Sequence, residues 1–177
     1  MAEQETRGGK FLPAFFVEPI LLGDEFNKDA WPLHMTYFPP VNDTFKPEYA
    51  DKMRQYINPM EPFLAQVGQS DYFGPDHDIH VKRMVPSNQL IAVHRRILAV
   101  LQDLPHSKQF RMPYNPHISM DEQDRRVETG DSIEIGGFSI VEKQQMSSTW
   151  RVIAKVGLKG AGMNTDARLI KETQRSA

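Results

Sequence analysis

Two short segments of the sequence each place a histidine two residues before a hydroxyl side chain. His34 and Thr36 lie in WPLHMTYF, and His117 and Ser119 lie in YNPHISM. WPLHMTYF is apolar and aromatic, which predicts a strand, and YNPHISM is predicted to be a strand entered through a proline. Side chains alternate between the two faces of a strand, so residues two apart share a face. Each segment can therefore present an imidazole and a hydroxyl to the same ligand.

These four side chains suit the chemistry of a phosphodiester. Cleavage or transfer without a metal needs a base for the attacking oxygen and an acid for the departing one. An imidazole can serve as either near neutral pH, because its ordinary pKa is about 6.5. Hydroxyl donors can stabilise the charge that develops on the nonbridging oxygens. We therefore predict that His34 and His117 are catalytic and that Thr36 and Ser119 bind the phosphate, with the assignment of acid and base left open.

One His-x-Ser/Thr triplet alone would be a weak signal. Serine and threonine are common, and a lone histidine in a strand is usually structural. Two triplets in matched strand contexts, about half a chain apart, are a stronger signal. The competing interpretation is a structural domain in which the triplets are coincidental. That interpretation predicts that the two histidines lie far apart in space.

The rest of the chain alternates between strand and helix patterns. Helices are predicted from Pro47 to Pro59 and from the N-cap Ser87 to Pro105, where apolar residues recur at helical spacing. We predict about seven strands and therefore an α/β or α+β domain with a largely antiparallel sheet. The predicted strands are residues 11–22, 31–38, 63–69, 78–85, 114–120 and two after the glycines at 136–137.

Composition and charge restrict the possible functions. The 177 residues include no cysteine, which excludes disulfides, thiolate metal sites and cysteine nucleophiles. The net charge of −2 argues against a protein that coats duplex DNA. Neither a signal-peptide pattern nor an apolar run of membrane-spanning length occurs, so we expect a cytoplasmic monomer with no membrane contact. Residues 1–10 and 161–177 are predicted to be tails, flanking a single domain over residues 11–160.

Several other residues are candidates for a functional role. The run from Asp76 to His80 contains two histidines and two carboxylates, but neighbouring side chains of an extended segment point in opposite directions, so a metal site is not favoured. His80 and Lys82 share a strand face and could reach a cleft, although a solvated sheet face explains them equally well. His94 falls at helical spacing among leucines, which indicates the edge of the core. Tyr114, three residues before His117, is the best candidate for stacking on a base.

The two histidine segments resemble the paired motifs of the two-histidine (2H) phosphoesterase superfamily, also called the LigT-like or 2′-5′ RNA ligase family. The segments FLAQVGQSDYFGPDHDIHVKRMV and SNQLIAVHRRILAVL resemble its middle strands, intervening loop and second helix. The resemblance implies a bilobal LigT-like fold with two pseudo-symmetric antiparallel-sheet lobes, outer helices and a central cleft. It also implies that His34, Thr36, His117 and Ser119 act there, without metal or other cofactor, on cyclic phosphates or 2′-5′ linkages.

The sequence departs from the family pattern in two ways. Tyr37 and Met120 follow the hydroxyl residues, where small aliphatic residues are common in the family. The chain also shows no obvious basic track for a long RNA, which favours a nucleotide or short RNA as the substrate. The alternative interpretation is a nucleotide- or RNA-binding module that keeps this fold without significant catalysis.

Overall fold

A computed structural model of the chain describes residues 9–36, 38–104, 115–160 and 166–172, with only the backbone described at Thr36. These residues form ten strands and two helices. In chain order they are β1 (Lys10–Phe16), β2 (Glu25–Asn27), β3 (His34–Thr36), α1 (Pro47–Ile57), β4 (Phe63–Phe73), β5 (Ile79–Met84), α2 (Asn88–Leu101), β6 (His117–Ser119), β7 (Ser132–Ile135), β8 (Gly137–Lys143), β9 (Thr149–Gly157) and β10 (Ala167–Ile170).

The ten strands form one sheet in the order β10-β7-β4-β5-β6-β3-β1-β8-β9-β2. Every strand pair among the described residues is antiparallel. An α+β fold with a largely antiparallel sheet is therefore confirmed. The two strands that carry the histidine motifs, β3 and β6, are the central pair of the sheet. The bilobal pseudo-symmetry and the outer position of the helices stay predictions.

The two helices begin where the sequence predicts. Pro47 opens α1, and the Ser87 hydroxyl caps α2 by accepting a hydrogen bond from the Leu90 backbone N–H at 3.2 Å. Neither helix is long and apolar enough to cross a membrane, and no other helix occurs in the described parts of the chain. Their apolar faces join the main core through Ala50, Met53, Ile57, Leu90, Val93, Ile97 and Leu101.

Apolar side chains cover both faces of the sheet near β1. Phe11 and Phe15 belong to the main core together with the helices. Leu12, Ala14 and Phe16, which alternate with them, belong to a second, smaller cluster on the other face. This double burial makes β1 a rigid neighbour for β3, with which it pairs.

Three strand boundaries differ from the prediction. The first strand ends at Phe16, where the chain bends before Pro19, and the second covers only His34–Thr36. The third predicted strand, residues 63–69, was too short, because β4 continues through SDYF to Phe73. Its polar residues read as loop formers, but the backbone groups of residues 70–73 pair with β5. A tight turn follows, in which Gly74 has φ +93° and His77 has φ 52°.

Three short strands were not predicted: β2, β7 and β10. Each has only three or four residues, which is too few for an alternating pattern to stand out. β10 lies within the segment predicted to be a tail and pairs with β7. Just before β10, the buried Asp166 accepts hydrogen bonds from Ser139 at 2.6 Å and from the ammonium of Lys155 at 3.0 Å. This buried pair fixes β10 to the strands β8 and β9.

His94 is a core residue of α2, as its helical spacing among leucines indicates. It is 3% exposed, and its ring stacks on Phe38 with a centroid separation of 4.8 Å. Burial lowers the pKa of His94 to about 4, and the neighbouring Arg95 charge adds to the effect. The folded protein therefore resists protonating this ring at pH values where the unfolded chain accepts the proton.

We expect this burial to make stability depend on pH. The folded-state pKa of His94 lies below the unfolded value, so its contribution is complete above about pH 6.5 and is lost as the pH falls towards 4. Because of His94 alone, we expect the free energy of unfolding to fall by about 2 kcal/mol between pH 7 and pH 4.5. Urea unfolding at both pH values measures it, with His94→Gln as the variant that removes the titration. An equal loss of stability in both proteins would contradict this assignment.

Candidate active site

The register between β3 and β6 sets the geometry of the site. Met35 pairs with Ile118 in an antiparallel arrangement, and both side chains are fully buried in the main core. One residue to either side, His34 therefore lies opposite Ser119, and position 36 lies opposite His117. Because strand side chains alternate, these flanking positions belong to the face away from the core. The two motifs thus lie side by side, whereas the coincidental interpretation predicts that they are far apart.

The backbone holds the two imidazoles in the same way. Nδ1 of His34 donates to the carbonyl of Pro32 at 2.8 Å, and Nδ1 of His117 donates to the carbonyl of Asn115 at 2.9 Å. In each case the acceptor lies two residues earlier in the chain. A carbonyl only accepts hydrogen bonds, so the proton is fixed on Nδ1 and Nε2 is the nitrogen that can exchange a proton with a ligand.

Burial lowers the pKa of both imidazoles. For His34 desolvation is the largest cause, and the charge of His117 lowers its pKa further. For His117 desolvation again comes first, and the charge of Arg83 adds to it. In both rings the hydrogen bond to the backbone carbonyl partly offsets the effect. The influence of His117 on His34 places the two rings within electrostatic reach of each other.

A cleft of about 870 Å³ opens on this face of the sheet, which is within the range of small-molecule sites. His34 and Ser119 both line it. His117 lies against the edge of Phe73, with ring centroids 4.6 Å apart, and the Arg83 guanidinium lies over the same phenyl ring at 5.9 Å. The cleft is lined by Lys28, Asp29, Trp31, Pro32, Leu33, His34, Tyr72, Asp78, Ile79, His80, Ser119, Met120, Asp121, Glu122, Asp124 and Arg126.

An ion-pair cluster supports the strand of His34 from the side. Glu18 accepts a hydrogen bond from the backbone N–H of Leu33 at 3.2 Å, directly before His34. The same carboxylate pairs with Arg126, which also pairs with Asp124 at 2.8 Å. Sequence reasoning missed this cluster. Glu18 and Arg126 lie 108 residues apart, and neither belongs to a recognisable motif.

The remaining candidates from the sequence do not all lie at the cleft. His80 lines the cleft, whereas Lys82 donates a hydrogen bond to Thr129 at 3.3 Å. Tyr114 lies outside the described residues. At Thr36 the structure describes the backbone but not the side chain. Within the described ranges, no group of three or more His, Asp or Glu side chains could hold a metal ion, and this includes the run from Asp76 to His80.

The effect of the His117 charge on the pKa of His34 leads to a direct test. We expect His117→Asn to raise the pKa of His34, because the substitution removes the positive charge that lowers it. An NMR titration of the imidazole ring signals measures this pKa. His77→Asn is the matched control, since His77 is exposed in the turn after β4. An unchanged or lowered His34 pKa in His117→Asn would show that the rings do not interact.

Comparisons with known proteins agree with this architecture. A family profile described as the 2′-5′ RNA ligase superfamily matches residues 22–134, which is more than half of the chain. A crystal structure described as a phosphoesterase superposes with a TM-score of 0.52 at 12% identity, over 86% of this chain and 99% of that one. At this identity the likeness shows the fold alone. A search of curated protein sequences gave no match.

The family match covers β3 and β6 with both histidine motifs, the two helices and the strands between them. This match indicates a phosphoesterase-type enzyme. The resemblance found in the sequence is thereby confirmed at the level of the family. The chain belongs to the 2′-5′ RNA ligase superfamily, the group of two-histidine, LigT-like phosphoesterases.

Proposed function

We propose that the protein is a metal-independent phosphodiesterase that hydrolyses 2′,3′-cyclic phosphate or 2′-5′ bonds of nucleotides or short RNA. The observation that supports this most is the Met35–Ile118 register, which brings both histidine motifs onto one face of the two central strands. A pseudo-twofold relation between two lobes would explain why both motifs have the same local anchoring. We further propose that the enzyme acts as a cytoplasmic monomer and needs no cofactor.

The proposed reaction uses each histidine through Nε2. One neutral imidazole takes a proton from water as the water oxygen forms a bond to phosphorus. The other, protonated, gives a proton to the ribose oxygen as its bond to phosphorus breaks. Thr36 and Ser119 donate hydrogen bonds to the nonbridging oxygens. The product of a 2′,3′-cyclic nucleotide is then a nucleoside 2′- or 3′-monophosphate, and either histidine can take either part, depending on how the substrate lies.

The charge around the cleft favours a small substrate. Two cationic side chains line it, and one of them, Arg126, is paired with Glu18 and Asp124. The carboxylates that line the cleft are Asp29, Asp78, Asp121, Glu122 and Asp124. A long RNA would bring many phosphates towards these carboxylates, and the described lining offers few cations to neutralise them. A substrate with one or two phosphates is exposed to much less repulsion.

We expect hydrolysis in EDTA of at least one member of a panel of 2′,3′-cyclic nucleotides, 2′-5′ oligoadenylates and cyclic dinucleotides. His34→Ala and His117→Ala should each reduce kcat by about 10²- to 10⁴-fold, because each removes one proton-transfer group. Ser119→Ala should reduce it by about 10²-fold through the loss of one phosphate donor. Product formation is followed by chromatography.

His77→Asn is the control, because it removes an exposed histidine from the turn after β4 and should leave kcat unchanged. Activity that persists in both His34→Ala and His117→Ala, or that needs an added metal, would refute the mechanism. Tight binding of a panel member without turnover would favour the nucleotide- or RNA-binding module instead.

The pKa values of the two histidines lead to an acidic pH optimum. The base must be neutral, so kcat/KM falls as the pH drops below its pKa. The acid must be protonated, so kcat/KM falls as the pH rises above its pKa. Both pKa values are lowered from 6.5, so we expect a bell-shaped profile with its maximum below about pH 6.5. Arg83→Gln should move the profile to higher pH, and a maximum above pH 7 would contradict this account.

A further inference from the structure

The hairpin of β4 and β5 places two aromatic side chains in the cleft beside Ser119. Tyr72 pairs with His80 in the antiparallel register, and their rings meet edge to face with centroids 5.4 Å apart. Both residues line the cleft. Tyr72 is 42% exposed, which is high for a large aromatic ring inside a concave site. Its free face is available for a flat group to stack on.

His80 is held as rigidly as the two motif histidines. Its Nδ1 donates to the carbonyl of Met120 at 2.9 Å, and the Met120 N–H in turn donates to the His80 carbonyl at 3.2 Å. The proton on Nδ1 is therefore fixed, and Nε2 is left to accept a hydrogen bond from a ligand. Met120 directly follows Ser119, and His80 and Ser119 line the same cleft.

The surrounding charge indicates what kind of group would bind there. Three carboxylates also line the cleft and lie close to this pair in the chain. Asp78 is two residues before His80, and Asp121 and Glu122 directly follow Met120. Carboxylates at this end disfavour a second phosphate. They do not disfavour a neutral aromatic ring with N–H groups on its edge. A nucleobase has both properties.

The other aromatic candidate that lines the cleft, Trp31, is only partly exposed and fits this role less well. Trp31 contacts His34, Phe26 and Trp150, with ring centroids 4.7, 4.8 and 5.1 Å away. These contacts make Trp31 part of the second apolar cluster, where it supports His34. The ring of Tyr72 has more free surface than a ring packed among three others.

We propose that Tyr72 and His80 form a nucleobase-binding subsite, in which the base stacks on Tyr72 and donates a hydrogen bond to Nε2 of His80. This inference rests on the proposed function and makes it more specific, because it assigns the substrate as a nucleoside with its phosphate held at Ser119. The subsite acts in binding and orientation. It takes no part in proton transfer.

The test compares the hydrolysis of two cyclic phosphates, each assayed separately with the same enzyme variants. Adenosine 2′,3′-cyclic phosphate has a base, and glycerol 1,2-cyclic phosphate has none. Tyr72→Ala should lower kcat/KM for the adenosine substrate by about ten- to a hundred-fold, mostly through KM, because base stacking is lost. It should change kcat/KM for the glycerol substrate by less than about twofold. Tyr72→Phe, which keeps the ring, should retain most of the activity on both.

His80→Asn tests the second contact, since the asparagine amide can still donate to the Met120 carbonyl but offers nothing in place of Nε2. It too should affect only the adenosine substrate. Tyr56→Ala is the control, because Tyr56 is an exposed aromatic residue on α1. Equal losses on both substrates would show that Tyr72 and His80 are merely structural, and no loss on either would also overturn the subsite.

The subsite can fail independently of the proposed function. Hydrolysis of the glycerol substrate that depends on His34 and His117 supports the proposed function, whatever Tyr72 does. If neither substrate is hydrolysed, calorimetric binding of adenosine 2′-monophosphate still decides the matter. Weaker binding by Tyr72→Ala than by Tyr56→Ala supports the subsite, and equal binding by the two variants overturns it.

Discussion

The pairing of Met35 with Ile118 at the centre of the sheet is the constraint on which the site depends. Both side chains are buried in the main core, so neither strand can rotate or slip by one residue without exposing an apolar side chain. The same constraint turns His34, His117 and Ser119 to the opposite face. The apolar core thus fixes the polar geometry of the cleft, although neither Met35 nor Ile118 lines it.

Backbone carbonyls fix the orientation of the histidine rings that the core places. Three imidazoles each donate the Nδ1 proton to a backbone carbonyl: His34 to Pro32, His117 to Asn115 and His80 to Met120. A ring held in this way keeps one orientation and one tautomer, which acid–base chemistry and base recognition both require. Burial has a cost, because it lowers the pKa of His34 and His117 and so disfavours the protonated form of each ring.

Local patterns predicted the elements with strong signals. The proline at the start of α1, the Ser87 cap of α2 and the β5 strand were all identified from short-range chemistry. The elements that were missed or misjudged depend on partners distant in sequence. β10 is too short to be recognised without β7, and residues 70–73 have a loop-like composition that pairing with β5 overrides. The Glu18–Arg126 pair has no local signal at all.

The sequence by itself determined the chemistry of this protein: two histidines, each followed two residues later by a hydroxyl, in strands that bury the residue between them. Alternation along a strand is a local property, so it can be read without knowing the fold. Only the tertiary structure decided that β3 and β6 are neighbours, that Tyr72 and His80 face the same cleft, and that carboxylates surround it. Those relations join residues far apart in the chain, and only the packing of the sheet and its core brings them together.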